Sequence, residues 1–269
     1  MRLVSICPSN TELIHYLGLS SSLVGVDDFS DWPKTIHHLP RLGPDLSINM
    51  DLLESLSPDL VLASLSVPGM EKNIEALIER NIPHIVLNPQ SLDEIGTDLL
   101  TAGKAVNKEK HAQNVYQTYL DTLALFKHTV EKIPVTPSLY WEWWPKPVFT
   151  PGAINWLTEV SELAGGKNIF EGVELASVQT DWDDILQRQP DHICLAWVGV
   201  RIEKVQPDIV KKRPGWNRLD AVLQNRIHVL EESLYCRPSP RLLQGILQLG
   251  NILHSSAYRH IELPALFRT

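Results

Sequence analysis

Cysteine is scarce in this chain, with three among 269 residues. Cys7, Cys194 and Cys236 lie far apart and lack any CxxC spacing. Such a set builds neither a disulfide framework nor a zinc knuckle and reads as buried or free thiols. Positive charge is in deficit as well: 24 Lys and Arg against 32 Asp and Glu leave a net charge of -8. That balance argues against nucleic acid or an anionic membrane as the main partner. No apolar run approaches the roughly 20 residues of a membrane span, so membrane insertion is not expected. A P-loop, a GxGxxG turn and a paired nucleophile and base are all lacking, which points to a binding protein rather than an enzyme.

The strand-like run RLVSI follows Met1 directly, with no basic n-region, apolar h-region or lipid-attachment cysteine ahead of it. As it stands the sequence reads as cytoplasmic; it reads as extracytoplasmic if a leader has been removed.

What is present is an alternation of short apolar strands with amphipathic helices, the pattern of an α/β protein with mostly parallel sheets. LVSIC reads as the first strand, and Ser9 and Glu12 have capping-box spacing for a helix ending at Gly18. MDLLESLSPDLVLAS and EKNIEALIERNIPHIVL each read as helix then strand. The second half repeats the order. In DWDDILQRQPDHICLAW, Asp183, Pro190 and Asp191 match Asp51, Pro58 and Asp59 without a gap. NRLDAVLQNRIHVL matches the next unit with a one-residue slip. PSLYWEWW stands where LVSIC stands, followed by a helix from Ala153 to Ala164 closed by Gly165 and Gly166.

Between the halves, Lys104 to Lys132 holds no Gly or Pro and carries Val106, Val115, Tyr119, Leu123 and Phe126 at helical spacing. A helix of that length spans roughly 40 Å, a stiff strut. The expected division is an N-terminal lobe over 1–103, a backbone helix over 104–132 and a C-terminal lobe over 133–269. Ligands of open parallel sheets sit beyond the strand carboxyl ends. That places a cleft between the lobes, lined by Cys7–Asn10, Asp27–Trp32, Ser64–Gly69, Trp143–Pro151, Trp197–Arg201 and Ser233–Arg237.

WEWWPKP, Trp141 to Pro147, puts three of the eight tryptophans in four residues. Trp141, deepest in the strand, is expected in the core. Trp143 and Trp144, beside the Pro-Lys-Pro exit, are expected at the cleft, where an indole can stack on a flat ligand. Glu142 needs a partner if buried: a ligand amide, a protonated ligand nitrogen or Lys146. Trp197 is a further cleft candidate. Arg237, Arg241 and Arg201 are either caps or clamps for an anion or carboxamide. Lys211, Lys212 and Arg213 read as a solvated face. His37 and His38 beside Asp27, Asp28 and Asp31 fit turn chemistry better than a metal site.

SICPSNTELIHYLGL, VDDFSDWP, LSPDLVLA, VFTPG with ELAGGKNIF, and CRPSPRLL, in that order, make the chain resemble the helical-backbone solute-binding proteins of ABC transporters. Within that class the likeness is to the BtuF-like vitamin B12 binders and runs as far as Leu243. The resemblance implies two Rossmann-like lobes with parallel sheets, joined by one long helix, and a cobalamin-like corrinoid or other tetrapyrrole chelate between them as ligand. It also implies a glutamate on each lobe that docks on an ABC permease. The first falls on Glu71; the second falls on Cys236, which removes half of that charge pairing. Tryptophans of the B12 binders fall near Ser64, Val86 and Leu234, while Phe29, Trp32 and Tyr235 keep aromatic character nearby. The expected ligand contacts are therefore Ser9, Asn10, Phe29, Trp32, Ser64, Glu142, Trp143, Trp144, Trp197, Tyr235 and Arg237, with no catalytic cofactor and no metal of the protein's own. Tyr235, Cys236 and Cys7 are options for axial ligation of a bound chelate. Two other readings stay open: a cytosolic carrier, sensor or chaperone for a tetrapyrrole, haem or siderophore without a permease, and an enzyme using Glu142 on a bound cofactor.

Overall fold

The computed structural model describes residues 1–268. It divides into one compact unit of Met1–Leu120 with Pro238–Pro240, and another of Asp121–Arg237 with the residues from Arg241 onward.

In the first unit the chain runs β1 (Leu3–Ser5), α1 (Pro8–Tyr16), β2 (Leu23–Val26), α2 (Met50–Ser55), β3 (Leu60–Ser64), α3 (Glu71–Glu79), β4 (His84–Leu87) and α4 (Leu92–Ala105). The four strands form a parallel sheet in the order β2-β1-β3-β4. β1 and β3 are buried along their whole length, as central strands of a sheet covered on both faces must be. One face packs Val4, Ile6, Val61 and Ala63 against Leu53 of α2 and Leu77 of α3.

The start of α1 differs from the capping-box expectation. Pro8 has no N–H to lose and a φ already suited to a first helical position, so it begins the helix with Cys7 as N-cap. Ser9 is thus inside the helix, and buried Glu12 accepts a hydrogen bond from Ser239 Oγ instead of closing a cap.

The long helix is also shorter than expected. α5 spans Glu109–Val130, 22 residues and about 33 Å. Lys104 belongs to the last turn of α4. Asn107 takes a left-handed φ of 57°, and Lys108 N–H donates to Gly103 O at 2.7 Å, so the chain stops one helix and starts the next within four residues. Asn is the residue other than Gly that tolerates this ending, which is why no glycine marked it.

The second unit continues with β5 (Ser138–Glu142), β6 (Trp144–Pro145), β7 (Val148–Pro151), α6 (Trp156–Leu163), β8 (Lys167–Asn168), β9 (Ser177–Thr180), α7 (Trp182–Arg188), β10 (His192–Leu195), α8 (Pro207–Lys211), α9 (Asp220–Leu223), β11 (Ile227–Val229) and α10 (Leu242–Tyr258). Its parallel sheet has the order β11-β10-β5-β8. Alternation along β5 sends Leu139 and Trp141 to one face and Tyr140 and Glu142 to the other. Trp141 is fully buried, donates to Ser161 Oγ at 2.8 Å and lies 5.3 Å from the Tyr235 ring, as the core reading required. Tyr140 joins Phe170, Ile193, Leu195 and Trp216 in the core of the opposite face. Beyond β5 the chain leaves the sheet: β6 and β7 pair as an antiparallel hairpin, Trp144 opposite Phe149, and β9 adds a third strand.

Candidate ligand-binding surfaces

Parallel pairing puts the carboxyl ends of β1 to β4 on one edge of the first sheet, and those of β5, β10 and β11 on one edge of the second. At the first edge, the buried carboxylate of Asp27 accepts from the backbone N–H groups of Phe29 at 2.8 Å and Ser30 at 3.1 Å. That turn leaves Phe29 48% exposed. Trp32 is half-buried, edge-on to the His15 ring at 4.4 Å and 5.6 Å from Tyr16. Val67, after β3, is exposed as well. The polar candidates here face inward. Asn10 donates to Ala63 O at 2.9 Å, tying α1 to β3; Ser9 Oγ lies 3.3 Å from Cys7 Sγ; Ser64 Oγ donates to Ser66 Oγ at 3.0 Å. All three side chains are buried, so they shape the edge without offering a free group on it. Glu71, first residue of α3, is exposed and accepts from Gly69 N–H at 2.7 Å.

At the second edge Glu142 is fully buried. Its Oε2 accepts from Tyr140 OH and from Arg213 Nη1, both at 2.6 Å; its Oε1 accepts from Arg213 Nη2 at 2.7 Å and Trp197 Nε1 at 3.1 Å. Burial and the negative charge of Glu142 together push the Tyr140 phenol well above its usual range. This corrects three expectations. Glu142 is committed to Arg213, Tyr140 and Trp197 rather than to Lys146, and with both oxygens filled it has no opening for acid–base work on a bound molecule. Trp197, 8% exposed, serves this carboxylate with its N–H. Arg213, 4% exposed, is a buried partner rather than part of a solvated charge run. Its guanidinium carbon sits 4.9 Å from the Trp182 ring and 4.5 Å from Trp216. The only hint in the sequence was that a buried Glu142 demands a cation; nothing local named which one.

Tyr235 is corrected too: it is fully buried, and its OH donates to Gly245 O and lies 2.9 Å from Gln248 Oε1. Arg237 is held by Glu232 Oε2 at 3.0 Å. Cys236 donates to Ala196 O at 3.3 Å, and burial raises its thiol pKa. At this edge Trp144 is 43% and Val198 45% exposed, and Arg201, in the same loop after β10, is exposed as well. Trp144 Nε1 donates to Lys146 O at 3.0 Å, which fixes the indole on the hairpin. Trp143 is half-buried; its backbone N–H donates to Phe149 O and its carbonyl accepts from Val198 N–H. Its indole N–H is enclosed without an acceptor among the described residues.

Residues 3–234 match the family model described as periplasmic binding protein. The chain belongs to that family. Among periplasmic binding proteins and related chains, it is 28% identical over 268 residues to the uncharacterized ABC transporter substrate-binding lipoprotein YvrC of Bacillus subtilis, covering 96% of this chain and 81% of YvrC. The solved vitamin B12 binding protein BtuF of Vibrio cholerae is 25% identical, with a TM-score of 0.73 over 95% of this chain and 97% of BtuF. The haem-binding protein RhuT of Roseiflexus shares the fold, with a TM-score of 0.83, 21% identity and coverage of 95% and 98%. The periplasmic binding protein fold explains the paired α/β units with all-parallel central sheets. Among the described residues no helix is long and apolar enough to cross a membrane.

Proposed function

We propose that this periplasmic binding protein captures a cobalamin-like corrinoid, or a chelate of similar breadth, for uptake by an ABC transporter. The observation that carries the reading is the exposed indole of Trp144, 43% accessible just beyond the carboxyl end of β5 and next in sequence to the half-buried Trp143. Trp144 supplies exposed apolar area for a broad flat ligand, with binding led by stacking and dispersion.

A corrinoid is favoured over haem by what the protein's own candidate axial ligands are doing. Tyr235 OH and Cys236 Sγ are engaged by carbonyls inside the second unit, and burial together with the Asp27 charge pushes the Cys7 thiol up to about 11. Cobalamin brings its own axial ligands; haem relies on the protein for at least one. Likeness to BtuF supports the same ligand. The exposed Glu71 supports docking to a permease through the first unit.

Equilibrium dialysis against cyanocobalamin, haemin and a ferric siderophore, followed by absorbance, tests the choice. Cobalamin should be retained at one per chain with micromolar or tighter affinity, about -8 kcal/mol. Preferential retention of haemin, with a Soret shift that reports protein ligation, would replace the corrinoid reading.

A further inference from the structure

The second unit holds a groove of about 510 Å³ that the chelate reading does not use. The hairpin tip, Pro145 to Pro147, forms one wall, and the turn from β9 into α7, with Asp181, Trp182 and Asp183, forms another. Trp182 carries two cations. Arg213 is the inner one, locked by its two bonds to Glu142. Lys146 is the outer one, its Nζ 5.1 Å from the ring centroid. Lys146 is exposed and makes no ion pair among the described residues, so the indole is what it rests on.

We infer that this groove is a binding site for a small organic cation, an alkylammonium or guanidinium group, whose place Lys146 occupies in the free protein. An aromatic face attracts such a group electrostatically. Asp181 and Asp183 stand on either side of Trp182 in sequence and both line the groove, giving it more negative than positive charge once Lys146 swings out. Asp181 spends one oxygen on capping α7, through the N–H groups of Asp183 at 3.0 Å and Asp184 at 2.9 Å. The Asp183 carboxylate is exposed and makes no such bond among the described residues, so it is the free counter-charge. An anionic ligand would meet two carboxylates for one ammonium and is disfavoured by the same arrangement. The prolines hold the walls in place before binding, which lowers the ordering cost.

The test follows the indole N–H resonance of Trp182 by ¹⁵N NMR, assigned by its loss in Trp182→Phe. Tetramethylammonium and arginine amide are titrated against sodium chloride at equal ionic strength. Removing a tethered competitor of ordinary cation–π strength predicts that Lys146→Ala binds both probes about three- to fivefold more tightly than the parent. Asp183→Asn should bind them about threefold more weakly. Both changes are at exposed positions, and the folded spectrum reports that the variants are intact. The inference is overturned if no saturable shift appears up to about 10 mM probe, or if the three proteins bind the probes equally.

Discussion

The guanidinium of Arg213 grips both oxygens of Glu142, at 2.6 and 2.7 Å, with neither residue more than 4% exposed. The pair ties the end of β5 to the segment after α8 and, through Trp197, to the end of β10. Each charge is tolerable in the interior only because the other is there. Glu142→Gln should therefore cost about 3–5 kcal/mol, since it strands a buried guanidinium. At roughly 2–4 °C per kcal/mol for a chain of this size, the melting midpoint should fall by about 6–20 °C. The double change Glu142→Gln with Arg213→Met should recover much of that loss. A midpoint for Glu142→Gln within about a degree of the parent would refute the pairing.

The contact between α4 and α5 rests on an absent side chain. A Cβ on Gly103 would come within 2.2 Å of Ala112 Cβ. Alanine is ordinarily about 1 kcal/mol better than glycine in a helix, but overpacking typically costs 1–3 kcal/mol and should win here. Gly103→Ala should lower stability in urea denaturation, while Gly172→Ala, where a Cβ meets nothing within 4 Å, should not.

Much of this architecture was legible in the chain, and the misses have physical causes. Strands such as Leu60–Ser64 announce themselves because burial on both faces leaves an unbroken apolar run. Trp141 was readable as core because it lies deep in such a strand. The break at Asn107 was hidden because asparagine can take the left-handed conformation without the glycine that flags it. Ser9 and Glu12 imitated a capping box, but Pro8 moved the helix start ahead of them. Arg213 was invisible because a charge run looks solvated unless its buried partner is known. Of the candidate ligand contacts, those the structure leaves on an accessible edge are aromatic, Phe29, Trp32, Trp143 and Trp144; the polar and charged ones are committed to internal bonds.

The stacked pair His192 and His228 predicts an acid-sensitive fold. The rings are 5.1 Å apart and share a hydrogen bond of 2.9 Å, which requires at least one of them to be neutral. Burial, then the proximity of His228 and Arg226, lowers His192 to about 4; Asp191 opposes and His254 adds slightly. His228 is lowered by burial and Arg226. The unfolded chain then binds more protons than the folded one between about pH 6.5 and 4. Stability from this pair is fully present above pH 6.5 and is lost as the pH falls through that window. Thermal midpoints should drop across it, and the slope should flatten in His228→Phe. A parent whose midpoint is level from pH 7 to 4 would contradict the arrangement.

Asp98 works in the opposite direction. Partial burial in α4, with Glu94 one turn away, raises it to about 7. The folded state holds this proton more tightly than the unfolded chain, so the group weakens folding as the pH rises from about 4 to above 7. Discounted for partial exposure, Asp98→Asn should stabilise by about 1–2 kcal/mol at pH 8 and by little at pH 4. Equal effects at both pH values would show that the carboxyl is ordinary.

The most direct test is a titration of tryptophan fluorescence with cyanocobalamin on the parent and on Trp144→Ala. Trp144 is exposed, so its truncation leaves the fold intact. The account predicts saturable quenching with a Kd well below ~100 μM, about -5.5 kcal/mol, and a loss of about tenfold or more in the variant, as expected of an aromatic anchor. Quenching no tighter than ~100 μM, or equal affinity in parent and variant, would contradict it.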